Sequence, residues 1–347
     1  MDLSRLHTLG ALEAARAIAA GEIASEQLVQ ACLERIRDTE PQVQAWHFLD
    51  EGHALAQARA RDADRAAGRA TGPLHGVPVG VKDIIDTADM PTEDGTPLHA
   101  GRTPDRDAGV VAALRAAGAV ILGKTVTTEC ATYSPGKTRN PHDPTRTPGG
   151  SSSGSAAAVA AGMVPLTIGS QTGGSTIRPA SFCGVVGFKP TFGLVPRHGV
   201  LKVSPSLDTV GVFARSLDDI ALCTSVLVGH DERDPDTRPR AAIPFAQTLA
   251  CAPPMPPRLA FVKTPMGNRA DTDTNEAFAE LVQALGARCE EVEMPPSFAA
   301  VWEWQQTIME AEMAFHLDVE WERGRERLSP PLRAQLERGR ALTALAH

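Results

Sequence analysis

"GSQTGGSTIRPASFCG", residues 169–184, poses the question from which the rest of the chain can be read. Ser175 directly follows two glycines, and Arg178 stands shortly after it. Glycine lets the backbone approach a ligand closely, as a nucleophile beside an oxyanion hole requires. The nearest histidine on the N-terminal side is His142, far from the loop, so a nucleophilic Ser175 needs another base.

Moving outward from this loop, the pattern alternates helices and strands. "VPLTIGSQ" (164–171) reads as a strand opening directly into the quoted loop, and "SSSGSAAAVAAGM" (151–163) as a helix starting behind a serine-rich mouth. In "GPLHGVPVGVKDIID" (72–86), Val77, Val79 and Val81 alternate with small residues, so a short strand ends at Lys82. "GAVILGKT" (118–125) is apolar enough for a fully buried strand, and the preceding residues 109–117 for a helix. Helices are expected near 9–20, 26–37, 53–67, 216–228 and 275–287, and strands at "GVVGFKPT" (184–191), "RLAFVKT" (258–264) and "CEEVEMP" (289–295). Residues 134–150, dense in Pro, Gly and Asn, read as a loop. The alternation predicts an α/β architecture, and the absence of repeats or linkers predicts one compact domain.

Composition narrows the function. With 347 residues, 42% hydrophobic and 22% charged, the chain reads as a soluble globular protein. A net charge of −8 offers no basic face to neutralise phosphates, so no nucleic-acid partner is expected. The arginines of "GRERLSPPLRAQLERGR" are interrupted by glutamates, as on a solvated helix face. The six cysteines are scattered without a CxxC pair, which predicts reduced, buried thiols, no zinc site and a cytoplasmic location. No signal peptide is visible, and "SAAAVAAGMVPLTIG" is too short and small to span a bilayer, so no membrane association is expected.

Several spellings compete for the chemistry. "GAVILGKT" fits a P-loop, but its middle residues belong in a strand rather than around phosphates. "GSSSG" (150–154) fits a nucleophile elbow, yet "NPHDPTRTP" before it cannot be the strand an elbow needs. "SPGK" (134–137) fits the S-x-x-K pattern, but Pro135 and Gly136 disfavour the shared helical face that pattern uses. The remaining combination is Lys82, the serines from Ser151 and Ser175. Burial disfavours an ammonium, which would make Lys82 a usable base, and Ser–Lys pairs are an accepted alternative to Ser–His. On spelling alone the plainer reading stands beside it: Gly/Ser loops as turns and a strand-end lysine pointing to water.

Taken together, "GPLHGVPVGVKD" (72–83), "GAVILGKT" (118–125), "NPHDPTRTPGGSSSGSAAAVAAG" (140–162), "GSQTGGSTIRPASFCGVVGFKPTFGLV" (169–195) and "SLDTVGVFARSLDD" (206–219) resemble the amidase signature family. The resemblance implies a twisted mixed β-sheet core surrounded by α-helices, and a hydrolase cleaving linear amide C–N bonds through an acyl-enzyme. It implies a Ser-cisSer-Lys triad: Lys82 as base, Ser151 as the bridging serine behind a cis peptide bond, and Ser175 as nucleophile. The N–H groups of Thr172, Gly173, Gly174 and Ser175 would form the oxyanion hole, with Gln171, Arg178 and Ser152 in support. Neither metal nor cofactor is implied, and the partner is a small-molecule amide; a homodimer is compatible with the reading. Two alternatives go with it: a glutamine-dependent amidotransferase component, and a truncated, non-catalytic relative.

The chain departs from the family at Gln171, where many members carry Asp, and at Arg178, three residues after Ser175 instead of two. Members also run past this length. A single domain over 1–347 is expected, with N-terminal helices to about 70, a signature core over about 71–230 and an incomplete C-terminal part from 231 ending in the helix-like "RAQLERGRALTALAH". Around Trp302, Trp304 and Met309 two readings stay open, an apolar acyl pocket or an ordinary core helix.

Overall fold

The computed structural model describes residues 3–69 and 71–343. Its strands are β1 (Trp46–Leu49), β2 (Pro78–Lys82), β3 (Val120–Thr125), β4 (Leu166–Gln171), β5 (Val186–Phe188), β6 (Thr209–Ala214), β7 (Leu259–Lys263) and β8 (Cys289–Glu293). The helices are α1 (Ala11–Ala20), α2 (Ser25–Val43), α3 (Glu51–Ala66), α4 (Gly109–Ala116), α5 (Ser153–Ala160), α6 (Ile177–Cys183), α7 (Leu217–Leu227), α8 (Phe245–Ala250), α9 (Thr272–Leu285), α10 (Val301–His316), α11 (Asp318–Gly324) and α12 (Pro330–Ala341). The first six strands form one mixed sheet in the order β1-β3-β2-β4-β6-β5, while β7 and β8 pair parallel in a separate two-stranded sheet.

The sheet centre follows from its sequence. Every residue of β2, β3 and β6 is buried, as expected of strands covered on both faces. β2 runs parallel to both β3 and β4. The carboxyl ends of all three therefore lie at one rim, where open α/β sheets place their ligands. Lys82 and Lys124 stand at two of these ends, and Ser170 at the third. β4 then pairs antiparallel with β6, and β6 with β5.

Helix α5 lies against β2, β3, β4 and β6. Its alanines are strong helix formers and thin enough for a close approach. The approach is closest at Gly154, where a Cβ would lie 2.2 Å from the Ala45 carbonyl oxygen and 2.4 Å from the Val126 nitrogen. Both of those backbone groups already serve the strand, since Val126 N–H donates to Ala45 and Gly154 N–H to Val126.

Several elements differ from the sequence reading. β1, β6, α6, α8 and α11 are additional to it, and the strand expected at 184–191 shrinks to Val186–Phe188. The thiols are all free, and Cys32, Cys130, Cys183 and Cys223 are buried as expected. Cys251 is exposed and Cys289 half-buried, because both lie in the solvent-facing stretch around β7 and β8. The expected C-terminal helix runs to Ala341, and residues 344–347 lie outside the described residues. Among the described residues no helix is long and apolar enough to cross a membrane.

Candidate active site

Lys82 ends β2 with none of its surface exposed. Its Nζ donates to Ser151 Oγ at 2.7 Å and to Ser170 Oγ at 2.9 Å. Burial lowers its pKa from 10.5 to about 7; the Asp208 carboxylate opposes that fall and the Arg178 guanidinium adds to it. A neutral amine is thus accessible near neutral pH. Ser151 follows a cis peptide bond from Gly150 and is itself buried.

Ser175 sits where the loop after β4 turns into α6, close to the Ser151 segment: Ser152 N–H donates to the Ser175 carbonyl at 3.4 Å. Its hydroxyl makes no hydrogen bond among the described residues, and neither do the N–H groups of Thr172, Gly173, Gly174 and Ser175. Gly174 has a φ of +155°, outside the range side-chain-bearing residues adopt readily, and this turn leaves those N–H groups unclaimed. Unclaimed N–H groups beside a serine hydroxyl are what a developing oxyanion needs. The Ser151 and Ser175 hydroxyls share no hydrogen bond here; catalytic contacts of this kind commonly close only with substrate.

The supporting residues hold this geometry. Arg178 donates through Nε and Nη2 to the Gly150 carbonyl at 3.0 and 2.7 Å, clamping the peptide that carries Ser151. Gln171 Oε1 accepts from the N–H groups of Thr176 and Ile177 at 3.0 and 3.1 Å, so its amide oxygen caps the turn entering α6. Both sequence departures therefore keep a structural task at the loop. Ser152 is fully buried; its Oγ donates to the Ser170 carbonyl and accepts from the Ser170 N–H.

Two groups at the site escaped the sequence reading. Ser170 is the second acceptor for Lys82; its place at the carboxyl end of a strand beside β2 was the available signal. Asp208 accepts from Thr172 Oγ1 at 2.6 Å and from the Val203 and Ser204 N–H groups, and burial pushes its carboxyl up to about 6. It was legible only as part of "SLDT". His142, the nearest upstream histidine, is tied to the Cys183 carbonyl and takes no part.

Lys124 is the instructive contrast. It is as buried as Lys82, but donates to the Ile85 carbonyl and Thr92 Oγ1 and lies 3.7 Å from Asp83. Burial lowers it only to about 8 against that carboxylate, so it keeps its charge at neutral pH. The P-loop spelling thus resolves into a strand end with a structural cation.

A cleft of about 60 Å³ opens over Ser175. Its walls include Thr172, Gly173 and Arg178, and, from α10, Trp302, Gln305, Met309 and Met313. Trp302 and Met309 thus face the site, while Trp304 is exposed and outside the cleft. A wider, open hollow of about 610 Å³ between α1 and α7 contains none of these groups.

The family model for amidases matches residues 27–339. A glutamyl-tRNA(Gln) amidotransferase component from Chloroflexus aurantiacus is 46% identical over 243 residues, covering 68% of this chain and 50% of that protein. Its Thermobifida fusca counterpart is 42% identical over 310 residues, covering 86% of this chain and 62% of that protein. The peptide amidase of Stenotrophomonas maltophilia superposes with a TM-score of 0.83 at 33% identity, over 97% of this chain and 76% of its own. A 6-aminohexanoate cyclic dimer hydrolase also superposes at 0.83, with 28% identity over 100% of this chain and 74% of its own. The chain thus spans about half the length of the Chloroflexus relative and three quarters of these solved neighbours. With nearly its whole length matched, and this fold, the chain belongs to the amidase family.

Proposed function

We propose that the chain hydrolyses a carboxylic amide, with Ser175 as nucleophile, Ser151 as proton relay and Lys82 as base. The observation that carries this reading is the buried Lys82 Nζ, 2.7 Å from Ser151 Oγ and lowered to about 7. Neutral Lys82 takes a proton from Ser151 as Ser151 takes the Ser175 proton. The Ser175 Oγ–C bond forms and the carbonyl electrons move onto oxygen. The loop N–H groups then stabilise that oxyanion, each donor contributing roughly 3–4 kcal/mol in the transition state. Collapse breaks the C–N bond, the leaving nitrogen takes the relayed proton, and water, deprotonated by the same relay, releases the acid and frees Ser175. None of these steps calls on a metal or cofactor.

The test is labelling with a fluorophosphonate probe alongside amide hydrolysis. Wild type labels at Ser175 and releases ammonia or amine, whereas Ser175→Ala does neither. A folded protein that labels nowhere, or a Lys82→Ala variant with undiminished hydrolysis, refutes the assignment.

A second reading is favoured by the identity to amidotransferase components, 46% in the Chloroflexus case against 33% for the peptide amidase. The same triad would then release ammonia from glutamine for a partner enzyme. Glutamine hydrolysis that appears only on adding the other proteins of such a complex would decide for it.

A further inference from the structure

One buried group in the cleft has no task in the chemistry above. Gln335, on α12, lines the cleft with only 2% of its surface exposed. Its Oε1 and Nε2 are both buried, and neither has a hydrogen-bond partner among the described residues. Interiors seldom tolerate a carboxamide with both ends unmet, and the cleft's other walls, Met309, Met313 and Val203, show that apolar residues are accommodated there. A second carboxamide, Gln305, lies against Gly173 of the nucleophile loop, with the Met309 sulfur at 3.5 Å as its polar contact.

We propose that Gln335 closes an acyl subsite for substrates carrying a second neutral, planar group with both donor and acceptor, a carboxamide or ureido group. This rests on acylation of Ser175 as read above. The group's N–H would donate to Gln335 Oε1 while its carbonyl accepts from Nε2, satisfying both unmet atoms at once. Hydrogen-bond pairing argues for a neutral group, because Gln335 leaves one donor and one acceptor unmet. Arg178 is the charged residue of the cleft, and its Nε and Nη2 are committed to the Gly150 carbonyl. Arg338, on the same helix as Gln335, is paired with Glu310. A carboxylate, which only accepts, could take the Nε2 donor but would leave Oε1 unmet, whereas a carboxamide meets both. Size sets the length: 60 Å³ holds an acyl group of roughly five to seven non-hydrogen atoms. The favoured class is the primary diamide of a short dicarboxylic acid.

The experiment compares kcat/KM for malonamide and succinamide with that for isovaleramide and 4-methylpentanamide, which replace the distal carboxamide by an isopropyl group of similar shape. Sites built to pair a polar group reject the analogue lacking it. Wild type should favour the diamides at least fivefold. Gln335→Leu and Gln335→Met should lose that preference by slowing on diamides and gaining on the branched mono-amides, with folding followed by thermal melting. A wild-type ratio below fivefold, or a ratio that survives both substitutions, overturns the subsite; if neither variant folds, the wild-type ratio decides. Fluorophosphonate labelling separates the two levels. Protein that labels at Ser175 but shows no diamide preference, or turns over none of the four amides, refutes the subsite alone. Folded protein that neither labels nor hydrolyses refutes the triad, and the subsite with it.

Discussion

The pH dependence of Ser175 acylation tests Lys82 without altering a single atom of it. Burial places the Lys82 pKa at about 7, so the neutral base is scarce at pH 5.5 and dominant at pH 8. For one group titrating there, the acylation rate should rise about 30-fold across that interval, tenfold per pH unit on the acid limb, and then level off. A lysine at its ordinary 10.5 would give a rate still climbing at pH 9. The charges that bear on Lys82 are Asp208, which holds the ammonium up, and Arg178, which pushes it down. Asp208 is itself pushed to about 6, so it is largely ionised where Lys82 titrates. Asp208→Asn removes that charge and should keep the single-group slope with its midpoint below that of wild type. The plateau should fall too, because Asp208 also holds Thr172. The assay is the rate of fluorophosphonate labelling between pH 5 and 10. A profile that is flat, or that still climbs above pH 9, refutes Lys82 as the titrating base.

Stability carries the same signature with a defined sign. Between about 7 and 10.5 the unfolded chain binds the proton that native Lys82 has released, so this group's penalty shrinks as pH rises through that window. Below pH 7 the penalty is present in full, at most roughly 5 kcal/mol from the depressed pKa. Lys82→Met should therefore raise Tm at pH 6 more than at pH 10 while abolishing activity.

Other expectations follow from single contacts. Arg178→Ala removes both donors to the Gly150 carbonyl and should lower kcat on the order of 10²-fold with little change in KM, because a misplaced relay is not a lost binding contact. An unchanged kcat, or a rise confined to KM, would contradict the clamp. Ser170→Ala leaves Lys82 with Ser151 as its hydroxyl partner; the midpoint of the labelling profile should move, and a profile unchanged in midpoint and height would show Ser170 to be a bystander. Gly154→Ala drives a methyl into the Ala45 carbonyl and should cost roughly 1–3 kcal/mol or more, read as a lower denaturation midpoint. In native protein a thiol reagent should react first at exposed Cys251, and at Cys32 and Cys223, held up at about 12 by burial, only on unfolding.

The central sheet was legible because its strands are written in short β-branched runs. "VPVGVK", "AVILGKT" and "VPLTIGSQ" became β2, β3 and β4 within a residue or two. Of the elements that escaped, β6 carried a readable β-branched alternation in "TVGVFA", whereas β1 and α6 had weak local signals. β1 has four residues, and α6 has seven with Pro179 in its first turn, a position helices tolerate but which reads as a breaker. The site was legible as spelling but not as geometry. Nothing in the spacing brings Lys82 beside Ser151; the parallel pairing of β2 with β4, Val81 opposite Ile168, sets Lys82 and Ser170 at one rim. Asp208 and Gln335 went unread for a different reason. Their meaning lies in burial and in partners gained or missing, which a one-dimensional string does not carry.

Lys82 and Lys124 end neighbouring strands, yet one is left without a carboxylate in contact and the other lies 3.7 Å from Asp83. Under the proposed mechanism a proton comes and goes at Lys82 in each turnover, while Lys124, beside Asp83, holds its own proton to higher pH. The rim would then work as a two-terminal device, one terminal switching and one grounded. On that mechanism, a mutation that set a carboxylate beside Lys82 would hold its proton in place and silence the proposed reaction without removing a core contact.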